Sequence, residues 1–246
     1  MQVYDDVLGG PILARTTQKE VDFAFSSGPG LFTDHQRNYI QSHFPFSMEV
    51  VATVKQVHGK RIKVVRHADE SHDRIGEADG LITDIPQRPI GIRTADCLPV
   101  FMYDPEHRAI GLVHAGWKGS RQRIVARALD SMQRHYRTEA KDVRVVLGPG
   151  IRQCCYQVSE VFKRYFPRDI IWTKRGYYCS LSGINRRQLN EAGVAQAHIH
   201  DSNVCTCCDA TYFSYRREGL HAGRMLSIMM IKGGSDADNR FYDGQE

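Results

Sequence analysis

Apolar residues fall along this chain mostly in short, dense runs. LPVFMYD (98–104), AIGLVHA (109–115), VRVVLG (143–148) and MLSIMMI (225–231) are rich in β-branched and large side chains and predict strands. VDFAFSS (21–27), VVATV (50–54), RIKVVRH (61–67) and PIGIRT (89–94) read the same way. DPEHR (104–108) lies between two of these runs and has the composition of a hairpin connection.

Helical periodicity is scarcer. Ile124, Ala128, Leu129 and Met132 recur at helical spacing in RQRIVARALDSMQRHY, with Ser120 placed to cap that run. Asp34 is placed to cap a helix reaching about Ile40. Ser159–Phe166 and Gly183–Ala192 are shorter candidates. Strands come in groups rather than alternating with helices, which predicts an α+β fold. No linker divides the chain, so residues 1–246 read as one domain, with the tail 233–246 lacking any apolar period and expected to be loose.

Composition narrows the function. With 41% hydrophobic and 25% charged residues the 246-residue chain is neither disordered nor fibrous and can bury a sizeable core. No run of 18 apolar residues exists, so no membrane partner is expected. The N-terminus MQVYDDVLGG lacks the basic and apolar regions of a secretory signal, which points to the cytoplasm. The net charge of +5 is spread out, and its densest pairs are Arg186-Arg187 and Arg216-Arg217. That distribution suits a small anion and does not predict a nucleic-acid partner. Seven cysteines, including two adjacent pairs, make a poor disulfide framework. In a reducing compartment they are core residues, metal ligands or nucleophiles.

Three segments at strand ends carry chemistry: KQVHG (55–59), TADC (94–97) and HAGWKG (114–119). They offer His58, Cys97 and His114, two imidazoles and a thiolate, a donor set that suits zinc with a fourth position open. The spacings of 39 and then 17 residues match no local zinc-finger rule. Two other readings use the same residues. The histidines can be satisfied polar groups beside a core cysteine. Alternatively, Cys97 with His58 or His114 can be a nucleophile–base pair oriented by Asp96, which would make a cysteine hydrolase.

QVHG, ADC, HAGW, the GP-I segment and the late CT…FSYRR…GRM stand in order from Gln56 to about Ile231. Together they resemble the polyphenol oxidase or laccase-domain family, whose members are regarded as zinc-dependent purine nucleoside enzymes. The resemblance implies a mixed β-sandwich flanked by helices, with zinc on His58, Cys97 and His114. It implies phosphorolysis of adenosine, inosine, guanosine or methylthioadenosine, deamination of adenosine, or both; editing of peptidoglycan precursors is also attached to bacterial members. The older family label implies a copper-dependent polyphenol oxidase. Where the family usually reads S-T-R-x-G-G, this chain has SSGPG (26–30), so another arginine must take that place.

Around the metal, Asp96 is the nearest carboxylate in sequence and is read as a proton shuttle. Gln56 orients His58 or hydrogen-bonds substrate. Trp117 stacks on a base or packs in the core. Arg216 and Arg224, with Tyr215 and Arg217, form a reserve for phosphate. A non-enzymatic binding role would leave the open metal position unused. Cys205-Thr-Cys-Cys208 has no second CxxC nearby and is read as core rather than as a metal cluster, and His198-Ile-His200 as surface histidines.

Overall fold

The computed structural model describes residues 1–24, 32–66 and 76–233. From the N-terminus, β1 (Gln2–Val3), α1 (Asp5–Leu8) and β2 (Ile12–Thr16) precede α2 (Asp34–His43), β3 (Ala52–Thr53), β4 (Ile62–Val64) and β5 (Gly80–Thr83). Then come β6 (Ile90–Thr94), β7 (Leu98–Asp104), β8 (Ala109–Ala115), α3 (Trp117–Arg121), α4 (Ile124–Tyr136) and β9 (Arg144–Leu147). β10 (Gln157–Val158), β11 (Ile170–Thr173), β12 (Gly176–Cys179), α5 (Leu181–Glu191), β13 (Ile199–Asp201), α6 (Tyr215–Glu218) and β14 (Met225–Ile231) follow.

The strands make a five-stranded sheet, β1-β2-β14-β6-β3, and a six-stranded sheet, β13-β9-β7-β8-β5-β4. The long apolar runs explain why the two stack. β7, β8 and β14 are buried at every position, so both faces of each strand must be covered. Ile12, Ile92 and Met229 of one sheet meet Phe101, Tyr103 and Leu112 of the other between the layers. The alternate residues Val100, Met102 and Val113 turn outward against Ile124, Ala128 and Met132 of α4. Leu13, Ile228 and Met230 turn outward against Ile40 and Phe44, on and beside α2. Each such side chain contributes roughly 1.5–3 kcal/mol by leaving water. The result is α+β, a mixed β-sandwich with helices on both outer faces. Gly111 lets α4 pack closely there, since a Cβ would lie 3.2 Å from Met132 Sδ and the methionine would have to shift.

Several local expectations change. The N-cap of α2 is Thr33, in a capping box with Gln36, not Asp34, and the helix runs on to His43. Ser120 does not cap α4. It is buried inside α3, where its hydroxyl accepts from Asn185 Nδ2 at 2.9 Å, and α4 starts after Arg123 in the left-handed region. Residues 160–164 form a 3-10 turn rather than an α-helix. Residues 21–24 of the expected strand 21–27 are not in a strand, and 25–27 lie outside the described residues, as do 26–30 and most of the tail. The connection 104–108 is the expected hairpin: Asp104 pairs with Ala109, and Asp104 Oδ1 accepts from Glu106 N (3.0 Å) and His107 N (3.2 Å).

A third, three-stranded sheet, β10-β12-β11, contributes Val158, Ile170 and Cys179 to an apolar cluster with Phe166, with Leu181 and Ile184 of α5, and with Ile151 and Trp117. Ile151, Trp117 and Leu181 of this cluster also line the cavity that holds the candidate site.

Candidate active site

His114 is on the same face of β8 as Ile110 and Leu112, so its ring enters the end of the sandwich interior. Cys97 sits in the three-residue step from β6 to β7, where the chain crosses from one sheet to the other. That step turns through Asp96 at φ 85°. His58 stands in the turn between β3 and β4 with φ 57°. The ligand atoms of these three residues lie within 4.8 Å of one another. Gly116 permits the convergence, because a Cβ there would be 2.8 Å from Cys97 Sγ and 3.4 Å from His58 Cδ2.

Asp79, which the sequence reading missed, organises the group. It is fully buried. Its carboxylate accepts from the backbone N–H of His58 (2.8 Å), Gly59 (2.6 Å) and Val57 (3.3 Å), and from His114 Nδ1 (2.9 Å). A carboxylate only accepts, so Nδ1 carries the proton and His114 presents Nε2 to the centre. Burial alone would raise the Asp79 carboxyl; the bonds from His114 and Gly59 outweigh it and hold it below the usual range. Burial pushes the Cys97 thiol up, but the charge and hydrogen bonds of His114 and His58 bring it down to about 6. Burial would lower the His114 imidazole; the Cys97 thiolate and Asp79 hold it up at about 9.

These residues fit a borderline-soft divalent ion. A thiolate already deprotonated near neutral pH is the ligand form. His114 is locked in the ligating tautomer by a buried carboxylate, the usual outer support of a metal-bound imidazole. Three converging donors leave one coordination position for water or substrate, the arrangement of a catalytic zinc centre.

The centre opens into a cavity of about 630 Å³. Its wall includes His58, Cys97, His114, Asp96, Gln56, Trp117, Tyr215, Arg216 and Arg224; Arg217, the other member of the expected phosphate reserve, does not line it and donates instead to Thr206 O (2.7 Å) and Cys207 O (3.0 Å). Their contacts differ in kind. Asp96 Oδ1 accepts from Thr206 Oγ1 (2.7 Å) and Oδ2 from Arg216 N (2.6 Å), which ties the Cys97 loop to the segment 205–217. Gln56 clasps the backbone of Arg93 through both ends of its amide, at 2.8 and 2.7 Å, and so fixes the His58 turn to β6. The Arg216 guanidinium donates to Cys155 O (3.0 Å) and Gln157 O (2.9 Å). Arg224 Nη1 donates to Ala222 O (2.5 Å) and Gly223 O (2.9 Å). Trp117 packs on Phe162 at 5.1 Å while bordering the cavity. Arg93, also missed in the sequence, joins the wall, with Nε donating to Phe23 O at 2.7 Å. Its only sequence signal is its place in PIGIRT, immediately ahead of TADC.

His198 and His200 are exposed and belong to no metal-competent group among the described residues. No helix of the described residues is long and apolar enough to cross a membrane.

The chain is similar to known proteins over most of its length. Residues 33–232 match the family described as multi-copper polyphenol oxidoreductase laccase. The chain is 32% identical over 195 residues to a purine nucleoside phosphorylase of Clostridium acetobutylicum, spanning 76% of this chain and 79% of that one. It is 31% identical over 189 residues to the adenosine deaminase RL5 of an unknown prokaryotic organism, spanning 70% and 72%. The crystal structure of YlmD from Geobacillus stearothermophilus superposes with a TM-score of 0.78 at 28% identity, covering 91% of this chain and 93% of that one. A matched region from Thr33 to Lys232, around a His58–Cys97–His114 centre at the end of a shared sandwich, settles the kinship: the chain belongs to the multi-copper polyphenol oxidoreductase laccase family.

Proposed function

We propose that this chain is a single-domain, zinc-dependent purine nucleoside enzyme of the cytoplasm, acting by phosphorolysis and able to deaminate adenosine at the same site. The observation that carries this reading is the convergence of His58, Cys97 and His114 on the floor of a cavity whose wall bears Arg93, Arg216 and Arg224. The names of its relatives, purine nucleoside phosphorylase and adenosine deaminase, support the substrate class.

The division of labour follows from the wall. Trp117, Tyr156, Ile151 and Leu181 give apolar surface suited to a purine ring. Arg93, Arg216 and Arg224 give cationic groups suited to phosphate, which planar guanidinium groups bind through paired N–H donors. Arg216 and Arg224 are each held by two backbone carbonyls, so their planes are set before an anion arrives. Asp96 is the only carboxylate on the wall among the described residues. After its bonds to Thr206 and Arg216, each of its oxygens keeps a lone pair, and we assign it the proton exchanged with the departing purine or with water. Gln56 positions the His58 turn. When bound, zinc supplies Lewis acidity, polarising the attacking phosphate or water. Copper is the alternative ion for the same donors.

One observation favours a second reading. The Cys97 thiol near 6 beside a His114 imidazole near 9 is also the signature of a nucleophile–base pair. Metal dependence separates the two.

The test is product analysis with adenosine, with and without phosphate. Adenine and ribose 1-phosphate should appear only when phosphate is present, and inosine should appear without it. Neither product with the zinc-loaded protein would sink the nucleoside reading.

A further inference from the structure

A second cluster of metal-competent side chains lies apart from the His58–Cys97–His114 centre. Cys154 and Cys155 occupy the turn after Ile151, and Cys205 and Cys208 a turn about fifty residues later. Their four sulfur atoms all lie within 4.8 Å of one another. Cys208 Sγ is 3.2 Å from Cys155 Sγ and 3.6 Å from Cys154 Sγ. In a tetrahedral tetrathiolate with Zn–S near 2.3 Å, neighbouring sulfurs stand about 3.8 Å apart. These two pairs stand a few tenths of an ångström inside that separation, and no pair exceeds 4.8 Å. We propose that Cys154, Cys155, Cys205 and Cys208 form a second, structural metal site that takes one zinc ion.

The surroundings suit that occupant. Adjacent cysteines reach a common centre only if the backbone turns sharply between them. Here both Cys155 N and Tyr156 N donate to Arg152 O, at 3.0 and 2.9 Å, which closes such a turn. Cys205 Sγ accepts the backbone N–H of Arg152 at 3.4 Å and those of Cys207 and Cys208. Backbone N–H groups aimed at a sulfur stabilise a thiolate, as in the knuckle of a CxxC metal turn. The guanidinium of Arg152 lies close enough to feel the charge of Cys205, and its buried Nη1 has no hydrogen-bond partner. Arg152 Nη2 is paired with Asp201 at 2.8 Å, so this cation offsets only part of the net negative charge that four thiolates leave around one divalent ion. Core packing does not explain the arrangement, because Cys154 and Cys208 are exposed. Cys207, the remaining thiol of the segment, packs instead in the apolar cluster with Ile151 and Phe166.

The site has a structural consequence for the catalytic cavity. Tyr156 follows Cys155 and borders the cavity; Thr206 follows Cys205 and donates to Asp96. Arg216 ties Cys155 O to the same wall, and Arg217 Nη1 holds Thr206 O (2.7 Å) and Cys207 O (3.0 Å). An ion clamping the two turns would brace the back of the cavity without touching substrate. Closed tetrathiolate coordination leaves no position for chemistry, so the role is structural.

The test counts zinc in the full-length protein, purified under reducing conditions, loaded with zinc and freed of excess. Wild type should retain two equivalents per chain. Cys97→Ser should retain one, as should Cys154→Ser/Cys208→Ser. A single equivalent in wild type that vanishes in Cys97→Ser would overturn the proposal, as would two equivalents in Cys154→Ser/Cys208→Ser. So would an intact mass showing a disulfide among these cysteines in protein prepared under reducing conditions. If the double variant does not fold, cobalt loaded into Cys97→Ser decides the matter with the cluster untouched. One cobalt with intense sulfur-to-metal charge-transfer absorption is the expected result; no such band would refute the site.

Discussion

Cys97→Ser should lose the zinc of the cavity site and, with it, nearly all turnover of adenosine. The hydroxyl is close to the thiol in size, so the sandwich should fold, but it is a far poorer ligand than a thiolate. Its two partners cannot compensate, since His114 is held on Asp79 and His58 by its turn. Metal catalysis of this kind is worth several kcal/mol, and at 1.36 kcal/mol per tenfold the expected fall in kcat/KM is roughly 10³-fold. Zinc content and kcat/KM measured on the same sample check it. Full zinc retention at both sites would mean that the three-residue centre is wrong.

Asp79→Asn is the second large effect, and it acts without touching substrate. The buried carboxylate gathers four N–H donors, and an amide can accept with its oxygen only. At least one donor must then face the NH₂ group. The turn carrying His58 loosens, and His114 loses the partner that fixes its ligating tautomer. Loss of such an outer support lowers metal affinity about 10–100-fold. Leaving a buried donor unpaired costs about 1–3 kcal/mol of stability. Competition against a chelator of known affinity, together with thermal melting, reads both. Unchanged zinc affinity would remove Asp79 from the account.

How much of this was legible in the sequence depended on length and distance. The buried strands at 98–104, 109–115 and 225–231 were plain, because seven apolar or mostly apolar positions in a row leave little alternative. β5, β11, β12 and β13 were not read as strands, since each is four residues or fewer; β5 and β13 owe their state to partners far along the chain, while β11 and β12 form a short hairpin with each other. Ser120 has the chemistry of a cap, yet its tertiary bonds to Asn185 and Gln188 bury it inside α3. His58, Cys97 and His114 stood out as donors beside a glycine or a turn, but their spacing alone left a core reading open, and it was the family resemblance that singled them out as ligands. Asp79 was not singled out, since an aspartate in EADG resembles any other acidic residue ahead of a strand. The paired turns at Cys154 and Cys205 escaped for a related reason. Spacing rules for metal sites look for a neighbouring CxxC, whereas here the complement is an adjacent pair about fifty residues upstream.

The central claim, metal-dependent nucleoside chemistry at His58, Cys97 and His114, is tested most directly by stripping the protein with a chelator and returning zinc in steps. Turnover of adenosine and the rate of Cys97 alkylation by iodoacetamide are followed together. The account predicts that turnover vanishes on stripping and returns with zinc, while Cys97 labels slowly in the loaded protein and quickly in the stripped one, because a coordinated thiolate is protected and a free one with a depressed pKa is not. Full turnover after exhaustive chelation, with rapid labelling of Cys97 in untreated protein, would contradict it and leave the cysteine nucleophile in its place.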